Sequence, residues 1–488
     1  MSKVSINPIN SKKFYIKDEN EERANIDSFI KKNIQKKIVV VLGLGFVGAA
    51  MSVVVSNKKE FAVIGVDLGD KRNYWKIGSI NSGILPLYSA DKKLEEFFRQ
   101  SYENNKIIAT YSEFAFKKAD YIIVDINLDV DKVNKQDKKI ISYNAKLDNF
   151  KKSIERIFLN CKPEALVLVE TTVPPGTCEN IIKPIAKKAF IERGVNLEPR
   201  IGHSYERVTP GPNYLDSIEN FYRVYSGIDE ASSNATESFL RKIIYTDRYP
   251  LTRLNNTNET ETAKVLENSY RAMNIAFISE WTKFAEKANI DLYKVIDAIK
   301  LRPTHSNIMY PGLGVGGYCL TKDPLLASWA SMNLFNGSEL AESVRAVEIN
   351  DGMPSHTFQK IKDYFKNKLT GKKFLILGVS YIADLSDTRH SPVEYLFDLL
   401  SEENSDVSIY DPYVKFWEER NLATIQNIGT QYDAVIAAVK HSEFQEESFL
   451  DKLNQIKGSV LFDTFSVYRN RYHLLGSFRE IIKIGVGY

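Results

Sequence analysis

Hydrophobic and polar positions divide the chain into two strand-rich stretches with one long helical run between them. Ile38 to Leu42 is a short apolar run rich in β-branched residues, as a strand buried on both faces requires. "FAVIGVD", "ADYIIVDI" and "EALVLVETTVPPGT" repeat the pattern at βαβ spacing. The period then changes. Val265, Leu266, Tyr270, Met273, Ile275, Ala276, Phe277 and Ile278 recur at helical intervals without a proline, which predicts one helix from Asn258 to Ala288. From Gly371 the strand pattern restarts. "GKKFLILGVSYIADLSDTRHSPVEYLFDLL" reads as a strand, a turn at Gly378, a loop, and a helix beginning near Ser391-Pro392. "DVSIYDP", "YDAVIAAVKHSEF" and "GSVLFDTF" are further short strands.

The glycines after the first strand give this pattern a chemistry. Gly43-Leu44-Gly45-Phe46-Val47-Gly48 directly follows a strand and opens a helix, the context that makes a GxGxxG sequence informative. Gly43 would form the tight turn, Gly45 would admit a pyrophosphate to the backbone, and Gly48 would let helix pack on strand. The helix N-terminus, with Phe46 and Val47 in its first turn, offers unpaired N–H groups to the phosphates. Asp67 stands at the end of the second strand, about 20 residues on, where a carboxylate binds the ribose 2′-hydroxyl and repels a 2′-phosphate. NAD is therefore the expected cofactor. The fold class that follows is α/β, with two Rossmann-like α/β domains joined by a long central helix. The boundaries drawn are an extension over 1–36, an NAD-binding domain over 37–250, a central helix and linking region over 251–345, and a second, smaller α/β domain over 346–488 as the candidate substrate domain.

Composition narrows the partners. The 65 basic and 62 acidic residues leave a net charge of +3, which gives no support to nucleic-acid binding. The basic run "IKKNIQKK" reads as a solvated helix face or leader. No segment reaches the roughly 18 apolar residues of a membrane span. The opening residues lack the apolar core of a signal peptide, so a cytoplasmic location is expected. Three widely spaced cysteines, Cys161, Cys178 and Cys319, form neither a disulfide framework nor a zinc pattern, and no metal is expected. Cys161 and Cys178 read as ordinary small core residues. Cys319 is different: it ends the glycine-rich stretch "PGLGVGGYCLTKDP", which follows no strand and lacks a Walker ending.

Two further positions are ambiguous by themselves. Lys264 and Asn268 lie four apart on the long helix, so they share a face that could hold a developing oxyanion, but by themselves they read as a solvated surface pair. Thr172 ends a strand on the side where ligands bind in such sheets, or is a plain strand-end threonine.

Taken together, "VLGLGFVG", "ETTVPPGT", "HSYERVTPG", "ETAKVLENSYRAMNIAFISE", "PGLGVGGYCLTKDP" and "GVSYIADLSDTRHSP" resemble the UDP-glucose/GDP-mannose dehydrogenase superfamily. They occur in family order from about residue 37 onward. The resemblance implies oxidation of the C6 hydroxymethyl of a nucleotide sugar to a carboxylate, with two NAD⁺ and no metal. It implies Cys319 as the nucleophile and Lys264 and Asn268 as the oxyanion-stabilising pair. It further implies Asp323 as the aspartate that positions water, Glu206 as the general base of thioester hydrolysis, and Thr172 as the holder of a catalytic water, beside the cofactor. Substrate contacts are implied at Glu206, Arg207, Lys264, Asn268, Arg271, Tyr310, Gly316, Tyr381 and Arg389. A homodimer or higher homo-oligomer built on the central helix is implied as well.

The chain departs from the family pattern in three places. Ile382 stands where a lysine is usual, Tyr205 where proline commonly precedes the glutamate, and Asp125 and Asn127 where a V-P-T sequence often ends the strand. "ERVTPG" and "PGLGVGG" are similar to the branch acting on UDP-N-acetylhexosamines, whereas Lys322 in "CLTKD" is typical of UDP-glucose enzymes. A UDP-N-acetylhexosamine is the expected substrate, with UDP-glucose as the alternative. A two-electron NAD dehydrogenase would need no nucleophilic cysteine, and a non-catalytic nucleotide-sugar sensor would have no reason to keep all of these residues.

Overall fold

The apolar runs form parallel strands, and the glycines after them form turns into helices. The computed structural model describes residues 4–87, 91–135, 138–205, 207, 211 and 213–487. A hairpin of β1 (Val4–Ile6) and β2 (Lys13–Tyr15) opens the chain, followed by α1 (Glu19–Lys32). Asp18 caps α1 by accepting the N–H groups of Asn20 and Glu21, and Glu21 returns to the N–H of Asp18. Next come β3 (Lys37–Leu42), α2 (Phe46–Asn57), β4 (Phe61–Val66), α3 (Tyr74–Ile80), α4 (Lys92–Glu103), β5 (Ile107–Thr110) and β6 (Tyr121–Val124). The hairpin β7 (Val130–Asn134) and β8 (Ile140–Ala145) precedes α5 (Asp148–Asn160), β9 (Leu166–Val169), α6 (Lys183–Glu192), β10 (Arg200–His203), α7 (Tyr214–Glu219), β11 (Val224–Gly227), α8 (Glu230–Ile243) and β12 (Thr252–Arg253).

The helical middle consists of α9 (Thr257–Lys287), α10 (Leu292–Lys300), α11 (Asp323–Leu334) and α12 (Ala341–Tyr364). The end of the chain holds β13 (Lys373–Leu377), α13 (Pro392–Glu402), β14 (Asp406–Tyr410), the hairpin β15 (Phe416–Trp417) and β16 (Leu422–Ala423), β17 (Ala434–Ala437), α14 (Glu447–Leu453), β18 (Val460–Asp463) and β19 (Glu480–Lys483).

Two compact units result. The first comprises 1–131, 144–265 and 329–337, the second 132–143, 266–328 and 338–488. In the first, eight strands run in the order β12-β11-β10-β9-β6-β3-β4-β5. All neighbours are parallel except β10 with β11. The order reverses at β3, which has β4 on one side and β6 on the other, so the carboxyl end of β3 is the switch point where such sheets bind ligands. Its core packs Val39, Val41, Val53, Val54, Val63 and Ile123 with Phe61 and Phe239. In the second unit, β14-β13-β17-β18-β19 form an all-parallel sheet that reverses at β13. Phe374, Ile376, Ile436 and Phe462 fill one face, and Leu375, Val435, Phe444 and Leu461 the other. This is an α/β molecule, as the sequence pattern predicts. Among the described residues no helix is long and apolar enough to cross a membrane.

Candidate functional site

In the first unit the glycine turn is shaped for a dinucleotide. A Cβ on Gly48 would stand 1.9 Å from the carbonyl oxygen of Gly43, and one on Gly43, whose φ is +99°, would stand 2.4 Å from that of Asp125. Glycine at both places lets β3, α2 and the end of β6 meet. A Cβ on Gly45 would meet nothing within 4 Å, so this backbone is open on its outer side. α2 begins at Phe46 with no side-chain cap and no acidic residue in its first turn, so no carboxylate of the helix repels an anion at its positive end. Asp67 follows β4. Its Oδ2 accepts the N–H of Leu44 at 2.9 Å and pairs with the Lys76 ammonium at 3.0 Å, while its Oδ1 accepts the N–H of Leu68. These residues fit a pyrophosphate and an adenosine ribose.

The neighbouring strand ends separate two adjacent threonines. Thr171 donates to the carbonyls of Val124 and Ile126, tying β9 to the end of β6, whereas Thr172 is half-buried. Beyond them, the N–H groups of Gly176 and Cys178 donate to the two carboxyl oxygens of Glu261 on α9, at 2.6 and 2.8 Å. Burial pushes the Glu261 carboxyl up to about 7, against the pull of these bonds. One turn later on α9, the Lys264 ammonium lies 5.4 Å from the ring centroid of Tyr205, which Arg207 also covers at 5.5 Å. Tyr205, the substitution for proline, is thus a buried aromatic floor. His203 at the end of β10 is buried, with Nδ1 2.9 Å from Thr260 Oγ1, and burial first and the Lys264 charge second push its pKa down to about 3. Glu206, the predicted general base, lies outside the described residues.

The second unit gathers most of the residues predicted around the cysteine. Cys319 is exposed in the turn that opens α11, and its carbonyl accepts the N–H groups of Lys322 and Asp323. By contrast, Cys161 and Cys178 are buried, and desolvation raises both thiols, Cys161 to about 11. Asp323 is fully buried at the start of α11. One carboxylate oxygen accepts the Asn268 amide at 2.6 Å, and the other pairs with the Lys322 ammonium at 2.7 Å. Lys322 also lies 4.7 Å from the ring centroid of Tyr318.

The glycines before Cys319 let two loops touch. The Gly317 N–H donates to the carbonyl of Arg389. A Cβ on Gly317, φ +79°, would stand 2.6 Å from the Tyr381 ring, and one on Gly316 2.6 Å from the Tyr381 Cβ. Arg389 makes a two-pronged contact with Asp387, at 2.9 and 2.6 Å, and lies 5.8 Å from the Tyr318 ring. Burial and the nearby Asp387 and Cys319 push the Tyr381 hydroxyl up to about 12. Ile382 is exposed beside it.

Two predicted substrate residues lie apart from this cluster in their contacts. Tyr310 stacks on Tyr293, donates to Asp297 and takes the Lys300 ammonium over its ring, all residues of α10. Arg271 is exposed on α9. Sequence reasoning missed Glu261, His203 and Asp387, and read Lys322 only as a substrate marker. The adjacency of Lys322 to Asp323 was the one available signal.

Comparison with known proteins gives the family. Three domain models of the UDP-glucose/GDP-mannose dehydrogenase family match: the NAD binding domain over 36–246, the central domain over 258–351 and the UDP binding domain over 375–470. The chain is 28% identical to a UDP-N-acetyl-D-mannosamine dehydrogenase of Methanocaldococcus jannaschii, over 90% of this chain and 94% of that one. It is also 28% identical to a UDP-N-acetyl-D-glucosamine 6-dehydrogenase of Pseudomonas aeruginosa, over 83% and 91%. A solved UDP-N-acetyl-mannosamine dehydrogenase of Staphylococcus aureus superposes with a TM-score of 0.74 at 25% identity, covering 92% of this chain and 98% of that one.

Proposed function

We propose that this chain, which belongs to the UDP-glucose/GDP-mannose dehydrogenase family and is an NAD-dependent nucleotide-sugar dehydrogenase, oxidises C6 of a UDP-N-acetylhexosamine to the carboxylate. What supports the acetamido sugar is the pair "ERVTPG" and "PGLGVGG" together with the names of the relatives above. In this reading NAD belongs to 37–250, the reactive cysteine to 251–345 and the nucleotide sugar to 346–488.

The observation that carries the chemistry is an exposed thiol at the turn into α11, directly before the buried Lys322–Asp323–Asn268 network. Bound NAD⁺ supplies a hydride acceptor, twice per sugar. After the first oxidation the Cys319 thiolate adds to the C6 aldehyde, and the carbonyl oxygen becomes an alkoxide. Lys264 and Asn268, one turn apart on α9, stabilise that oxygen, and one such donor is typically worth about 3 kcal/mol. The thiohemiacetal so formed gives up the second hydride and becomes a thioester. Water then attacks the thioester carbon, Cys319 leaves as thiolate, and the water proton passes to Glu206, with Asp323 and Thr172 positioning the attacking water. In sum, one alcohol, two NAD⁺ and one water give one carboxylate, two NADH and three protons. Cysteine suits both halves because it is a strong nucleophile and a competent leaving group.

We further propose a homodimer through α9. Leu266, Tyr270, Phe277, Trp281 and Phe284 recur every three to seven residues along this helix and are exposed. A patch of this kind on a long helix marks an interface, and a second copy presenting the same stripe would cover it.

The test is NADH release with UDP-N-acetylmannosamine, UDP-N-acetylglucosamine, UDP-N-acetylgalactosamine, UDP-glucose and GDP-mannose. Two NADH per acetamido sugar are expected, with UDP-glucose slower. A ratio of one would exclude the four-electron course, and a preference for UDP-glucose would move the substrate to the other branch. Cys319→Ser should still bind NAD⁺ and form no acid; full turnover by that variant would remove the thioester.

A further inference from the structure

The segment before residue 36, where the NAD-binding family model begins, is built into the fold. Its hairpin and helix lie along α3 and at the end of β5. Ser5 Oγ accepts the N–H of Trp75, and the Asn7 amide donates to Ser79 Oγ. The Phe14 ring occupies the space beside Gly78, where a Cβ would stand 2.4 Å from it. The N–H of Lys17 donates to the Tyr74 hydroxyl. Glu22, fully buried, accepts the Tyr74 hydroxyl at 3.0 Å and the Thr110 hydroxyl at 2.6 Å.

α3 needs this support. It has 7 residues, too few to hold a helix by local bonds alone, and its N-cap Asn73 makes no side-chain cap. Yet α3 carries Lys76, whose ammonium fixes Asp67 Oδ2 at 3.0 Å. A carboxylate that binds a ribose hydroxyl and turns away a 2′-phosphate must keep one rotamer, because a small displacement loses the geometry of such a contact.

We propose that residues 4–36 clamp the adenosine half of the NAD site, with Glu22 as the positioning residue that holds α3, and through Lys76 holds Asp67. The proposal rests on the assignment of Asp67 to the adenosine ribose. It predicts that the extension sets affinity for NAD and discrimination against NADP, and leaves the nucleotide-sugar side untouched.

The test uses full-length Glu22→Ala, Glu22→Gln, Phe14→Ala and Asp67→Ala. The readouts are isothermal titration with NAD⁺, NADP⁺ and UDP, and the melting temperature. Glu22→Ala and Phe14→Ala should weaken NAD⁺ binding about tenfold and narrow the NAD⁺/NADP⁺ ratio by a similar factor, with UDP binding unchanged. Glu22→Gln, whose amide can still partner both hydroxyls, should stay within about threefold of wild type. Unchanged NAD⁺ binding in Glu22→Ala and Phe14→Ala, or NAD⁺ and UDP binding falling in parallel, overturns the clamp. If Glu22→Ala does not fold, Phe14→Ala decides by the same criteria. Asp67→Ala separates the two failures: if it leaves NAD⁺ affinity and the NADP⁺ ratio unchanged, the ribose assignment itself is wrong.

Discussion

Replacing Glu261 by glutamine should change how the stability of the chain depends on pH. The Glu261 carboxyl is fully buried, and desolvation lifts it from 4.5 to about 7 even though the thiol of Cys178 and the N–H groups of Cys178, Gly176 and Thr177 pull it down. Between those two values the folded chain keeps a proton that the unfolded chain has released. Stability therefore falls as the pH rises through this window, and is flat with respect to this group above it. A tenfold change in proton affinity is worth about 1.4 kcal/mol, so the whole window is worth about 3 kcal/mol. Glutamine does not titrate. Its carbonyl can accept one of the two N–H groups, but its NH₂ faces the other and loses that bond, at about 1–3 kcal/mol. At about pH 5 the variant should be the less stable protein. Toward about pH 8 the wild type loses its advantage, and the two should converge or cross. Melting temperatures of both proteins across that range read the difference directly, and about 3 kcal/mol corresponds to about 6–12 °C for a domain of this size. A gap that stays constant with pH would refute the reasoning: the carboxyl would then be ionised throughout, held by the backbone N–H groups. Because the Gly176–Cys178 turn follows Thr172, Glu261→Ala should also lower kcat.

Three further substitutions perturb buried or exposed contacts with defined outcomes. Arg223→Met removes the cation, 3.0 Å away, from the fully buried Glu170 carboxylate, and should cost about 3–5 kcal/mol in thermal or urea unfolding, with Glu170→Gln in the same chain recovering much of it. Gly317→Ala forces a Cβ to within 2.6 Å of the Tyr381 ring at a positive φ, and should lower kcat about tenfold while NAD⁺ binding, read by titration, stays unchanged. Phe277→Asp with Trp281→Asp places charge in the exposed stripe of α9 and should give a monomer by light scattering; an unchanged dimer would place the interface elsewhere.

Much of the fold was legible because period and punctuation agreed. The helix read as Asn258 to Ala288 runs from Thr257 to Lys287, and the helix placed near Ser391-Pro392 starts at Pro392 with Ser391 as its cap. Both have strong local signals: an unbroken apolar period in one, and a cap followed by proline in the other. The antiparallel pairing of β11 with β10 was not legible, because a four-residue strand carries no mark of its direction. The N-terminal extension was read as a polar segment, since its hairpin strands have only three residues each and bury little. Yet Asp18 and Glu21 spell the capping box that starts α1, a signal that was present in the sequence.

The site was legible where spacing fixed it and illegible where burial did. The i, i+4 spacing of Lys264 and Asn268 put them on one face, but a solvated pair and a buried pair have the same spacing. What separates them is that both are nearly buried, and that the Asn268 amide finds Asp323, 55 positions away, at 2.6 Å. Thr171 and Thr172 are identical in type and adjacent, and only the direction of the strand end decides which hydroxyl is spent on the carbonyls of Val124 and Ile126. Lys322 shows the consequence most clearly. Read along the chain it is a substrate marker that points toward UDP-glucose, in conflict with the glycines before it. In the fold its ammonium is buried and committed to the Asp323 carboxylate, with the Tyr318 ring against it. A charge held in that way stabilises the carboxylate and is not directed at a sugar hydroxyl. The conflict between Lys322 and "PGLGVGG" therefore loses most of its weight as an argument against the proposed acetamido sugar.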